Sequence, residues 1–160
     1  MKFIRLIVVI AIVFLAQTML FSKVQGLRYV DLFLLLNLYF ALNFGQVASM
    51  AFSVPSGLVQ DAFTHVGILG MNAFSKTVVV FLISGLSSRL MIKHPLVIMV
   101  LIFISTHLDF LVIIGLKQLF RLPGSMLPYM PIFWAAVLNS MIGIVTFLMA
   151  DRIRTRKEYA

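Results

Sequence analysis

The sequence predicts an all-α integral membrane protein, a single domain built as a bundle of six transmembrane helices with both termini cytoplasmic. Three observations lead there. The 160 residues are 62% hydrophobic and 11% charged, with a mean hydropathy of +1.09, beyond what a water-soluble domain carries. The apolar residues gather into runs near the length of about 20 residues that a spanning helix needs. The basic residues stand at the ends of those runs, where they set orientation and meet anionic lipid headgroups. In hydrocarbon the backbone must satisfy its own hydrogen bonds, so most of the chain has to be helical.

Residues 4–22, "IRLIVVIAIVFLAQTMLFS", form the first span. Lys2 and Arg5 ahead of it resemble the start of a signal peptide, but the run is long and no A-x-A site follows, so an uncleaved anchor is expected. After the turn "KVQGLRYVD", the apolar stretch 30–63 would be roughly 50 Å long as one helix, against a hydrocarbon core of about 30 Å. It must fold back, and "NFGQ" at 43–46 is the natural break, leaving short spans at 30–43 and 46–63. Spans at 70–90, 95–115 and 129–150 follow, then a basic tail, 151–160. Orientation checks the count. "DRIRTRK" puts the C-terminus inside, Lys2 and Arg5 put the N-terminus inside, and Arg89, Lys93 and His94 fall in a cytoplasmic turn, although Lys23, Arg28, Lys117 and Arg121 come out on the other side. Both termini inside require an even number of crossings.

Composition excludes several functions. With no cysteine there is no disulfide, thiolate metal site or thiol nucleophile. The net charge of +8 raises nucleic-acid binding, but no basic surface interleaved with aromatics accompanies it, and no nucleic-acid partner is expected. Asp61 and Asp109, on different spans, invite comparison with intramembrane aspartyl proteases, whose paired carboxylates share a proton. Those enzymes carry Tyr-Asp and Gly-x-Gly-Asp, whereas Gln60 precedes Asp61 and Leu108 precedes Asp109 here. There is no G-x-S-x-G, phosphate loop, H-E-x-x-H or haem pair, so neither catalytic residues, a metal nor a cofactor is expected.

Polar residues inside the spans carry the remaining information. Gln46, Ser49, Ser53, Ser56, Gly57 and Gln60 recur at steps of three and four and share one face of the third span, with Pro55 among them as an expected bend. Ala136, Asn139, Ser140, Gly143, Thr146 and Ala150 make a similar stripe on the sixth. Close helix packing accounts for both stripes, and a cavity lining is the alternative. Asp61, Lys76, His107 and Asp109 come out at a similar, outward depth. Charges at membrane depth turn inward and pair, so Asp61 or Asp109 is expected within ion-pair reach of Lys76. Asp61 is expected to pin the third, fourth and fifth spans together, with Lys76 as partner and Asp109 as competitor.

Taken along the chain, "LRYVDLFLLLNLYFAL", "GLVQDAF", "GILGMNAF", "THLDFLV" and "FWAAVLNSMIGIVTFL" before a basic tail resemble the bacterial rod shape-determining MreD family, from about Leu27 onward. The most specific part is Gly57-x-x-x-Asp61 followed by Gly70-Met-Asn-Ala-Phe; Lys76 stands outside the family's pattern. The resemblance implies a non-enzymatic protein of the cytoplasmic (inner) membrane that belongs to the cell-elongation complex and regulates cell shape and peptidoglycan synthesis. It implies MreC as partner and, through it, MreB, the SEDS-family glycosyltransferase RodA and a class B penicillin-binding transpeptidase, besides membrane lipid. Gly57, Asp61, Gly70, Lys76, His107 and Asp109 are then candidates for helix packing and the partner interface. It also implies a fold similar to the substrate-binding membrane component of energy-coupling-factor vitamin transporters. Such a component is the alternative function, against which Ala11 and Ala16 are too far apart for that family's A-x-x-x-A coupling motif.

Overall fold

The computed structural model of the chain describes residues 12–13, 15–17, 29–64, 68–87, 94–122 and 129–158. Among them are five helices and no strand: α1 (Leu32–Asn43), α2 (Gln46–Thr64), α3 (Met71–Ser87), α4 (Pro95–Leu119) and α5 (Tyr129–Glu158). They correspond to the second through sixth expected spans. The first lies mostly outside the described residues, of which 12, 13 and 15–17 are helical.

Local chemistry sets the boundaries. Asp31 is extended at φ −106° and ψ 92°, and its carboxylate accepts the Leu34 N–H, an N-cap that starts α1. Phe44, at φ −124° and ψ 162°, ends it, so the chain does turn back at "NFGQ". The turn before α3 closes on Gly70 at φ +102°, a backbone conformation that side chains other than glycine's rarely adopt. Pro55 lies on the exposed face of α2 and removes one backbone hydrogen bond without ending the helix. His94 caps α4, with Pro95 at its first position, where the missing N–H is not needed.

Two ends differ from expectation. Gly115 does not close α4: a glycine inside a helix costs only about 1 kcal/mol, and the residues after it favour helix. The stop comes at Arg121, φ +52°, where the Leu122 N–H reaches back to the Lys117 carbonyl at 2.8 Å. The basic tail does not separate from the last span either, since α5 continues as one helix to Glu158.

α1 is the central helix and touches each of the other four, while α2–α3 and α4–α5 pack as antiparallel pairs around it. Leu34, Leu35, Leu38 and Ala41 of α1 meet Val79, Val80 and Ile83 of α3, Leu101 and Ile102 of α4, and Phe147 of α5. Phe40 stacks on Phe52 with centroids 4.1 Å apart, tying α1 to α2. At the tightest crossing, a Cβ on Gly57 would lie 2.3 Å from the Ala73 Cα. Backbones approach that closely only where no side chain intervenes. On α5, Gly143 makes room for side chains instead, since a Cβ there would fall 2.6 Å from Ile102 Cδ1 and 2.9 Å from Leu35 Cδ2.

Among the described residues, several polar side chains are buried beside the apolar core while large apolar ones face outward. Lys76, Asn37, Ser49, Ser53, Ser56 and Ser105 are fully buried, while Val47 is 82% and Leu119 74% exposed, and Phe74, Phe81, Trp134 and Leu148 also face outward. α4 and the Tyr129–Met149 part of α5 are long and apolar enough to cross a membrane. α1 and α3 are apolar but shorter. At 12 residues α1 is about 18 Å long, less than the hydrocarbon thickness.

The glycine contacts give a direct comparison. Gly57→Ala is expected to destabilise the bundle by about 1–3 kcal/mol, because Ala73 backbone has to move, whereas Gly85→Ala meets only the end of Gln46 at 3.9 Å and should be nearly neutral. Thermal unfolding of both variants in one detergent measures the difference.

Candidate functional site

Asp61 follows Gly57 by one helical turn, on the same face of α2, and the close approach at Gly57 carries its carboxylate to the first turn of α3. There it accepts the Gly70 N–H at 2.9 Å and the Asn72 N–H at 3.0 Å, with the Ala73 N–H at 3.3 Å. The Asn72 side chain donates to it as well, at 2.8 Å. A helix start leaves its first amides without partners and carries partial positive charge; a carboxylate supplied from a neighbouring helix answers both. Gly57, Asp61 and Gly70 therefore serve one joint, in which Gly57 sets the distance, Gly70 the turn and Asp61 the bonds.

The expected Asp61–Lys76 pair is not formed, because that carboxylate is already occupied by backbone. Lys76 turns instead to Asp31, with Nζ to Oδ2 at 2.8 Å, and to Asp109, at 3.7 Å to its Oδ2. The lysine side chain is 0% exposed, Asp31 19% and Asp109 6%. The Asp109 half of the expectation is met, and the closer partner is a residue that the sequence reading passed over. Asp31 gathers further bonds: Gln60 Nε2 donates to its Oδ2 at 3.0 Å, and its own N–H donates to Asn139 Oδ1 at 2.9 Å. One residue thus joins α1, α2, α3 and α5. Ser75 holds the other carboxylate, donating to Asp109 Oδ1 at 2.7 Å. An N-cap signal, an Asp immediately before an apolar run, was the feature that could have singled out Asp31.

The stripe on α2 faces inward as expected. Ser49 donates to the Phe40 carbonyl at 2.9 Å, the Ser53 and Thr77 hydroxyls lie 2.9 Å apart, and Ser56 exchanges hydrogen bonds with Asn37 at 2.9 and 3.1 Å. Asn37, fully buried in the middle of α1, was also not anticipated. Gln46, at the end of the stripe, is half-buried and reaches the Phe81 carbonyl only at 3.5 Å. On α5, Ala136, Asn139, Ser140 and Gly143 are buried, but Thr146 faces outward. His107 does not join the ionic cluster. Its Nδ1 lies 3.0 Å from the Phe103 carbonyl and its ring sits against Phe103 and Tyr129, so it packs α4 against α5.

Beside the cluster lies a partly open cavity of about 250 Å³, lined by Asp31, Asp109, Asn72, Thr106 and Asn139 and by a more apolar wall that includes Phe110. Among the described residues no group of His, Asp or Glu is arranged to hold a metal ion. The chemistry on offer is hydrogen bonding and charge in a sheltered space.

The cap at α3 predicts a local signature. Asp61→Ala is expected to lower stability by about 1–3 kcal/mol and to speed hydrogen exchange at Gly70, Asn72 and Ala73. Asp61→Asn, which keeps an acceptor, should lie between the variant and the parent. Amide exchange read by mass spectrometry decides; unchanged protection across residues 70–73 would contradict the assignment. No family model, no curated protein and no solved structure matches the chain.

Proposed function

We propose that this chain is a non-enzymatic, multi-pass component of the bacterial cytoplasmic membrane, of the MreD kind. In this reading it binds MreC and so takes part, with MreB, RodA and a class B transpeptidase, in the elongation complex that governs cell shape and wall synthesis. The observation that carries the reading is the resemblance centred on Gly57-x-x-x-Asp61 and Gly70-Met-Asn-Ala-Phe. The geometry supplies a reason for that pattern, since these residues jointly seat α3 against α2. The large apolar side chains that face outward support a lipid environment for the whole bundle. Six crossings with both termini inside complete the proposal: residues 4–22 add the first, and the short α1 and α3 cross where the bundle itself surrounds their polar groups.

The cavity favours a second reading, a substrate-binding component of an energy-coupling-factor transporter. The spacing of Ala11 and Ala16 counts against it. A detergent pull-down of the tagged protein from its native membrane separates the two. Co-purification of MreC and wall synthases is expected; recovery of an ATPase pair with a transmembrane coupling protein would replace the first reading with the second.

A further inference from the structure

Among the described residues, the cluster beside the cavity does not balance. Lys76 brings one positive charge to two carboxylates, and Asp61, the third acid nearby, is taken up by the start of α3. Lys76 sits within hydrogen-bond distance of Asp31 but 3.7 Å from Asp109 Oδ2. Asp109 Oδ1 accepts from Ser75, and Oδ2 is met by Lys76 only at 3.7 Å, although the side chain is 6% exposed and the residue lines the cavity. One turn earlier on α4, Ser105 is fully buried, and its hydroxyl has no hydrogen-bond partner among the described residues. With one ammonium shared between two carboxylates, the cluster keeps an excess of negative charge in a sheltered place, and a cation in the cavity removes that excess.

The walls select the kind of cation. Among the described residues no group of three or more His, Asp or Glu is placed to hold a metal ion, and about 250 Å³ is more room than a bare ion fills. The lining combines the oxygens of Asp31, Asp109, Thr106 and Asn139 with hydrocarbon from Phe110 and Ile113, both half-buried and on the same face of α4 as Thr106 and Asp109. That combination fits a group with several N–H donors at the end of a short carbon chain. We propose that the cavity binds a primary ammonium group, which donates to Asp109 Oδ2 while its carbons lie against Phe110 and Ile113. A free small alkylamine and the aminoethyl headgroup of a phospholipid both present this chemistry. The inference holds under either reading of the protein's function.

The test uses the full chain in detergent and amine-free buffer, with unfolding followed by the fluorescence of its single tryptophan, Trp134. Ethylammonium chloride, tetramethylammonium chloride and potassium chloride are compared at equal ionic strength. The expected result is a saturable rise in Tm with ethylammonium alone, because the quaternary ion has the charge but no N–H. Asp109→Asn should weaken the apparent affinity by about tenfold or more. Should that variant not fold, Thr106→Val serves in its place. Native mass spectrometry after reconstitution distinguishes the sources: retained phosphatidylethanolamine, displaced by ethylammonium, identifies the lipid, and soluble amine bound with no lipid retained identifies the free amine. Equal Tm values in the three salts, as expected if a proton neutralises Asp109, would overturn the proposal.

Discussion

A lysine ammonium with no exposure, inside a bundle with many large apolar side chains on its outside, has to be neutralised by its neighbours. That constraint organises this fold. Asp31 meets Lys76 only because it stands at the N-cap of α1, the helix that touches all the others. Asp31 is in turn held by Gln60 from α2 and by Asn139 from α5, and Asp109 closes the cluster from α4. Five helices therefore share one charged joint. Burying ions is not in itself a source of stability, since desolvation offsets most of the attraction; what such a joint supplies is a penalty for every arrangement that leaves one partner alone. In the proposed lipid setting, where apolar faces gain little from meeting one another, that penalty helps select one packing of the helices.

A second joint makes the first possible. Lys76 lies at the second turn of α3, so its position depends on how that helix begins. The beginning is set by Gly57, which lets the α2 and α3 backbones touch, and by Asp61, which takes the amides of Gly70, Asn72 and Ala73. The two carboxylates of α1 and α2 thus divide the work: Asp61 fixes where α3 starts, and Asp31 meets the charge that α3 then delivers. This division explains how Lys76 is tolerated and why Asp61 need not reach it. It also leaves Asp109, the more distant partner of Lys76, beside the neighbouring cavity.

Much of the architecture was legible because it rests on short-range rules. The break at "NFGQ", the inward stripe of Ser49, Ser53 and Ser56, and the pairing of Lys76 with Asp109 follow from length, periodicity and the cost of unpaired charge in hydrocarbon. Other features depended on information that local pattern does not hold. Asp61 was assigned to Lys76 because both are charged and at one depth, but backbone N–H groups compete for a carboxylate and carry no mark in the sequence. Asp31 lies at the edge of an apolar run and reads as a turn residue until α2, α3 and α5 are seen to converge on it. His107 shares a helix with Asp109 two positions away, and the 100° step between successive residues sends the two to different neighbours. Gly115 looked like a helix end, yet the left-handed turn at Arg121 provides the actual one.

The central claim is that Asp31 and Lys76 are energetically coupled across the bundle, and a double-mutant cycle tests it most directly. Asp31→Asn keeps a capping side chain and removes the charge, while Lys76→Met keeps the length of the side chain and removes the ammonium. Equilibrium unfolding in one detergent would be measured for the parent, each single variant and the pair. Lys76→Met is expected to cost about 3–5 kcal/mol by leaving Asp31 and Asp109 without a counter-charge, Asp31→Asn less because Asp109 stays beside Lys76, and the double variant less than the two together, with a coupling of about 1–3 kcal/mol. Effects that add to within about 0.5 kcal/mol would contradict the account and leave the 2.8 Å contact without energetic weight.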